Sequence, residues 1–430
     1  MTVVPELSPS QKEAFSVLSG TKENVFLTGG AGSGKSFLIS QFLRDKDTRF
    51  EFPVLASTGA AAVLVGGRTF HSFFGLGLMQ GHPSEIIDKS AKNRHVRYRL
   101  RKAKTLVIDE ISMIPGPVLD IAEKICKQIL DDSTPWGGLR IVSVGDFAQL
   151  PPVARGQKIP PWAFLSSSWD RGKFMPILLE ENLRSDDENL SFVLHHIRNG
   201  QMDDQIKEIL DSRYGPPYSF SGTQLFSKRM EAAQFNDMEL SKIAGEVYTI
   251  PTRYAGQEQY IEALRRNAPI SEHLALKIGA KVMIRINDPL LRYVNGSTGT
   301  VLDVKEDEVT VAIRNRPFTF EKMAFSYLDG QGEPKATATN FPLQLAWATT
   351  IHKSQGMTMD EMAVSLEGLW EPGQAYVAMS RVRSLDQLWI RRWSEKSIFC
   401  DSLVKTFYEE GCPFDFRETL GIEDHVDDFY

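Results

Sequence analysis

Residues 29–36 read Gly-Gly-Ala-Gly-Ser-Gly-Lys-Ser. The apolar run Val25-Phe26-Leu27-Thr28 precedes them, and Phe37-Leu38-Ile39 continues at helical spacing, the strand–loop–helix setting of a phosphate-binding loop. The missing β-carbons of Gly30, Gly32 and Gly34 let consecutive backbone N–H groups, that of Ser33 among them, turn inward on a phosphate chain. Lys35 can then reach the β and γ phosphates, and the Ser36 hydroxyl can ligate Mg²⁺. The octet therefore predicts a nucleoside triphosphate site, with ATP and Mg²⁺ as cofactors.

Leu106-Val107-Ile108-Asp109-Glu110 is an apolar strand ending in two carboxylates. At the strand end beside a phosphate loop, Asp109 would hold Mg²⁺ through water and Glu110 would polarise the attacking water. The next apolar strand, Ile141-Val142-Ser143-Val144, leads to Gln149, placed to sense the γ-phosphate or its water. Ser8 and Pro9 open a helix in which Gln11 offers the donor–acceptor pair that adenine recognition requires. Arg184 and Arg381 are candidates for guanidinium fingers, forking onto phosphate oxygens as charge develops.

A second kind of chemistry lies in Thr349-Thr350-Ile351-His352-Lys353-Ser354-Gln355-Gly356, where hydroxyls, an imidazole and a cation sit together. Thr58-Gly59-Ala60-Ala61-Ala62 and Thr69-Phe70-His71-Ser72-Phe73-Phe74 form a comparable set upstream. Thr58, Thr350 and Lys353 could meet backbone phosphates, and His71, Phe73 and His352 could stack on bases, although Phe70, Phe73 and Phe74 taken singly fit a core better than a platform. Neither histidine has a metal-ligating partner at useful spacing.

These residues need elements to hold them. The first 175 or so residues alternate strand-like apolar runs with helical segments, which implies a parallel α/β sheet with ligands at the strands' C-terminal ends. Residues 76–104 interrupt it with a polar, basic stretch, expected as a small insert on the sheet edge. A second αβ unit starts at Leu178, and residues 280–327 read as short antiparallel strands with turns at Asn295-Gly296 and Arg316-Pro317, a small β-barrel insert. The expected domains are 1–177, then 178–279 with 341–412, with the barrel at 280–340 and a loose acidic tail at 413–430.

At 430 residues the chain should form more than one domain, and its 42% hydrophobic and 24% charged composition is that of a globular protein. No apolar run approaches the roughly eighteen residues of a membrane span, so no membrane partner is expected. Three widely spaced cysteines fit a reducing, intracellular compartment: cytoplasm or nucleoid in a prokaryote, nucleus or mitochondrion for a eukaryotic core fragment. A net charge of −6 argues against indiscriminate coating of nucleic acid and leaves room for a local basic groove.

Taken together, these segments resemble the Pif family of superfamily 1 DNA helicases, from Leu7 to about Phe407. The most specific pieces are Phe341-Pro342-Leu343-Gln344-Leu345-Ala346-Trp347-Ala348, the adjoining 351–358, and Gly373-Gln374-Ala375-Tyr376-Val377-Ala378-Met379-Ser380-Arg381. Ser57–Ala62, Ile108–Met113 and Gly145–Pro152 complete the set. The resemblance implies two RecA-like domains with ATP between them, single-stranded DNA crossing both, and 5′-to-3′ movement. It implies the roles given above for Lys35, Ser36, Asp109, Glu110, Gln149, Arg184 and Arg381. Partners would be single-stranded and forked DNA, in many members also RNA–DNA hybrids and G-quadruplexes, with the protein mostly monomeric and sometimes dimerising on DNA. Ser185 follows Arg184 where the family usually has Gln, and the chain begins almost at the adenine-contacting motif, without the long N-terminal region of eukaryotic members.

Two grips, Thr58 with His71 and Thr350 with His352 and Lys353, would tighten alternately on the strand, and the 76–104 insert is the candidate wedge. A translocase that strips proteins without unwinding would use the same motor. An RNA-directed helicase and a non-enzymatic DNA-binding scaffold are the further alternatives, the scaffold predicting a damaged motor.

Overall fold

The computed structural model describes residues 6–57, 67–79, 81–152, 159–268, 270–288, 292–328 and 333–421. Six strands form the first sheet: β1 (Val25–Gly29), β2 (Val54–Ala56), β3 (Arg68–Thr69), β4 (Thr105–Ile108), β5 (Arg140–Gly145) and β6 (Met175–Leu179). All neighbours pair in parallel, in the order β3-β2-β4-β5-β1-β6. β1 and β4 are buried along their whole length, which is why they read as unbroken apolar runs rather than alternating ones. The loops that follow β1, β4 and β5 carry the phosphate loop, the acid pair and Gln149, all at the sheet's C-terminal edge.

The second sheet is also parallel, ordered Ala348–Thr350, Thr223–Phe226, Met362–Leu366, Leu388–Trp393. The two parallel sheets are the expected pair of RecA-like domains. The chain leaves this second domain earlier than expected, at Tyr248 rather than residue 280. Tyr248–Pro251 pairs with His273–Leu276, and Arg253–Gly256 pairs with Pro334–Asn340, all antiparallel. A five-stranded antiparallel sheet follows, and Leu343–Leu345 closes it against Lys281–Ile284. Its tightest turn is Arg314-Asn315, both at positive φ (48° and 62°), not the expected Arg316-Pro317. Pro317 instead sits in the edge strand Arg316–Glu321, where a missing N–H costs little.

Three other boundaries move. Strand β6 runs through Leu179, so the first sheet extends past residue 177. The helix Ser402–Glu409 returns to the first domain, where Phe407 stacks on Phe164 at 4.4 Å and 12°. Phe416 is fully buried against the same rings, so the described part of the 413–430 segment is docked rather than loose. The 76–104 insert is two helices, Pro83–Lys92 and Arg94–Lys102, whose Ile86, Ala91, Val96 and Leu100 join the first domain's core. Within that basic run Arg99 is buried rather than solvated, donating to the carbonyls of Phe73 (2.6 Å) and Ser72 (3.3 Å). No described helix is long and apolar enough to cross a membrane.

Candidate nucleotide site and nucleic-acid interface

The phosphate loop bridges β1 and helix Lys35–Leu43, and Gly34 reaches the helix through φ +79°. A β-carbon at Gly34 would run into the amide of Gln11. That contact explains Gln11: it is fully buried, donates to Ser33 O at 3.2 Å and accepts from Ser8 N at 3.2 Å. Both ends of the amide carry a bond, so in this structure Gln11 braces the phosphate loop beside the site where adenine was expected to meet it. Lys35 folds onto the loop itself, donating to Gly29 O (2.8 Å) and Gly30 O (3.0 Å). Burial lowers its pKa, against the fields of Asp146, Glu110 and Asp109. Ser36 stays exposed at the start of the helix, and Ser33 Oγ is buried with no protein partner.

Asp109 and Glu110 end β4 as expected. Burial, then the charge of Glu110, pushes Asp109 up to about 7. Glu110 is raised too, by burial first, and sits at φ 53°, ψ 49°, an uncommon conformation for a non-glycine residue. One hydroxyl and one carboxylate beside a phosphate loop form the sparse oxygen set that Mg²⁺ uses when substrate phosphates and water complete its shell. The residues therefore fit that ion, which Ser36 and Asp109 would hold.

The second domain closes on this site. Gln355 Nε2 donates to Glu110 Oε2 at 3.2 Å. Arg381 is fully buried and donates to Val377 O (2.7 Å), Ser354 O (3.3 Å) and Met357 O (3.4 Å), so it clasps both ends of the loop that carries Gln355. Burial, then Arg184, brings its pKa down to about 9, with Glu110 pulling the other way. Arg184 donates to Ser380 O at 2.6 Å, and its neighbour Leu183 N–H donates to Gly32 O at 3.0 Å, which lays this segment over the phosphate loop. Gln149 is buried in the loop after β5, where Gly373 packs against its carbonyl.

One hub was not anticipated. The Tyr376 hydroxyl accepts from Ala31 N in the phosphate loop (2.6 Å) and donates to Asp146 Oδ2 (3.3 Å). Asp146 also takes a forked pair from Arg198 (2.8 and 3.3 Å) and a bond from Tyr408 (3.2 Å). Burial would raise the Asp146 pKa, but Arg198 and Lys35 hold it below the usual range. Gly145-Asp146 at a strand end was the available signal; its partners come from distant segments and carry none.

On the nucleic-acid side, Thr350 caps the short helix Ile351–Ser354, accepting from Lys353 N at 3.3 Å. His352 Nε2 lies 2.8 Å from Glu371 Oε2 with its side chain 40% exposed, still reachable by a base. Lys353 is drawn down to about 8 by burial and then by Arg285 and Arg229. In the first domain His71 is lowered by burial. Phe73 cannot be a stacking platform: it is 2% exposed, edge-on to Phe74, with the Arg99 guanidinium over its ring at 5.4 Å. Thr58 lies outside the described residues.

Fold and site define a P-loop protein of two RecA-like domains whose nucleotide site is completed across the interdomain cleft. A family model described as PIF1-like helicase matches residues 6–210. The "ATP-dependent DNA helicase Pif1" of Bdellovibrio bacteriovorus is 47% identical over 94% of this chain and 92% of its own length. The crystal structure of Pif1 helicase from Candida albicans superposes with a TM-score of 0.81 at 31% identity, covering 94% of this chain and 99% of that one. Bacteroides Pif1 in complex with ADP-AlF3 and ssDNA superposes at 0.70, with 27% identity over 95% of this chain and 97% of that one. The chain belongs to the PIF1-like helicase family.

Proposed function

We propose that this protein is an ATP-dependent DNA helicase that moves 5′ to 3′ on single-stranded DNA and separates the duplex ahead of it. The observation that carries the reading is the bond from Gln355 to Glu110, because it ties the water-polarising carboxylate of one domain to the strand-gripping segment of the other. The relatives' names, and the complex with nucleotide analogue and single strand, support the same activity.

In the mechanism, the phosphate-loop amides and Lys35 bind the triphosphate, and Lys35 must leave the Gly29 and Gly30 carbonyls to do so. Ser36 and Asp109 would hold Mg²⁺, which would supply positive charge to the phosphates. Glu110 orients the attacking water and accepts its proton, a role its raised pKa favours. Arg184 and Arg381 exchange the backbone carbonyls of Ser380, Ser354 and Met357 for phosphate oxygens, which draws the second domain inward. Release of the 354–357 loop passes that movement to Thr350, His352 and Lys353. Opening one base-pair step costs on average about 1.4 kcal/mol, small beside one ATP.

Forked DNA is the substrate this mechanism predicts, with G-quadruplexes and a DNA-induced dimer as extensions taken from the family. A translocase without productive unwinding would share every motor residue. A strand-separation assay run beside a protein-displacement assay on the same fork distinguishes them: duplex opening supports the helicase, displacement alone the translocase.

A further inference from the structure

Arg285 follows the strand Lys281–Ile284 in the appended sheet and is only 6% exposed. A guanidinium carries five N–H donors. Here its partners are two thioether sulfurs, Met283 at 3.6 Å and Met357 at 3.7 Å, and its Nε has none. Burial brings its pKa down to about 10, and no carboxylate among the described residues offsets it. Buried charge of this kind is costly unless an anion pairs with it.

The neighbouring charges make the deficit larger. The Lys353 side chain is half-buried, has no hydrogen bond or ion pair among the described residues, and feels Arg285 and Arg229 as like charges. Arg229 opens the helix Arg229–Lys242, whose N-terminal end adds partial positive charge. Glu371, the acid that touches the grip, is committed to His352. Thioethers of Met283 and Met357 supply packing but no charge. Among the described residues, the Arg285 and Lys353 side chains have no carboxylate paired with them.

We propose that Arg285 and Lys353 form a phosphodiester subsite, in which one backbone phosphate of the bound strand supplies the missing counter-anion. The subsite rests on the helicase reading and extends it, because Arg285 stands outside every motif that pointed to nucleic acid. Lys353 shares the short helix Ile351–Ser354 with His352 and is capped by Thr350, so the phosphate held there belongs to the strand that crosses the second domain.

The test is binding of a fluorescein-labelled oligothymidylate by the full chain, followed by anisotropy across a salt series, alongside thermal melting. Arg285→Met should weaken binding about tenfold and reduce the salt slope by about one. It should melt no lower than wild type, because methionine packs among Met283 and Met357 without a buried charge. Arg285→Lys should keep the salt slope, and it carries the test if the methionine variant fails to fold. Wild-type affinity and slope in Arg285→Met, or a lost slope in Arg285→Lys as well, would overturn the subsite alone. A wild-type chain that binds no strand at any salt would overturn the helicase reading, and the subsite with it.

Discussion

Gln355 Nε2 lies 3.2 Å from Glu110 Oε2, so the loop after helix Ile351–Ser354 of the second domain touches the carboxylate proposed to orient water in the first. The other amide atom, Gln355 Oε1, is buried without a partner, which leaves the side chain held at one end only. A contact of this kind can report strand engagement to the hydrolysis site. Gln355→Ala should therefore lower the factor by which single-stranded DNA stimulates ATP turnover, by about threefold or more. Strand affinity should stay within about twofold, since coupling of this size need not alter binding. An unchanged stimulation factor would show that the contact is incidental.

Glu110→Gln keeps the size of the side chain and removes its basicity. ATP turnover should fall by about 10²–10⁴-fold while nucleotide binding persists. Steady-state turnover beside fluorescent-nucleotide titration separates the two effects. Retained turnover would move the water-orienting role to another residue.

Asp146 is the anion that neutralises Arg198, and both are deeply buried. Removing one partner strands the other charge. Asp146→Ala should shift the denaturation midpoint by an amount equivalent to about 3–5 kcal/mol. The double replacement Asp146→Ala with Arg198→Met should recover a large part of that loss. A single variant as stable as wild type would contradict the assigned pairing.

Lys353 titrates near 8 in the DNA-free protein, lowered by burial and then by Arg285 and Arg229. A bound phosphate favours the charged form and raises that value. Below about pH 7 the lysine is already charged, and binding takes up no proton. Above 8 the free protein has lost that charge, binding must take up a proton, and strand affinity falls as pH rises. Lys353→Arg, which stays charged across the range, should flatten this profile between pH 7 and 9.5. Parallel profiles for the two proteins would remove Lys353 from the grip.

Much of the site was legible because phosphate binding, acid pairs after strands and guanidinium fingers are local in sequence. Lys35, Asp109 and Glu110 stand where their spacing puts them, at the C-terminal edge of a parallel sheet. Gln11 and Phe73 show what local reading leaves out. Gln11 has the right chemistry for adenine, and tertiary packing also ties its amide to Ser8 and Ser33, which no local pattern shows. Phe73 looks like a platform in a short aromatic run, yet it faces the core beneath Arg99. Asp146, Arg198, Tyr376 and Tyr408 meet from segments up to 262 residues apart, and no periodicity encodes that meeting. The same limit hid the return of Phe407 and Phe416 to the first domain, since an aromatic pair near a C-terminus does not say which core it joins.

The most direct test of the account is unwinding of duplexes bearing only a 5′ or only a 3′ single-stranded tail, with wild type and Lys35→Ala compared. The account predicts ATP-dependent opening from the 5′ tail alone, abolished in Lys35→Ala. Opening from the 3′ tail, or opening that survives loss of Lys35, would contradict it.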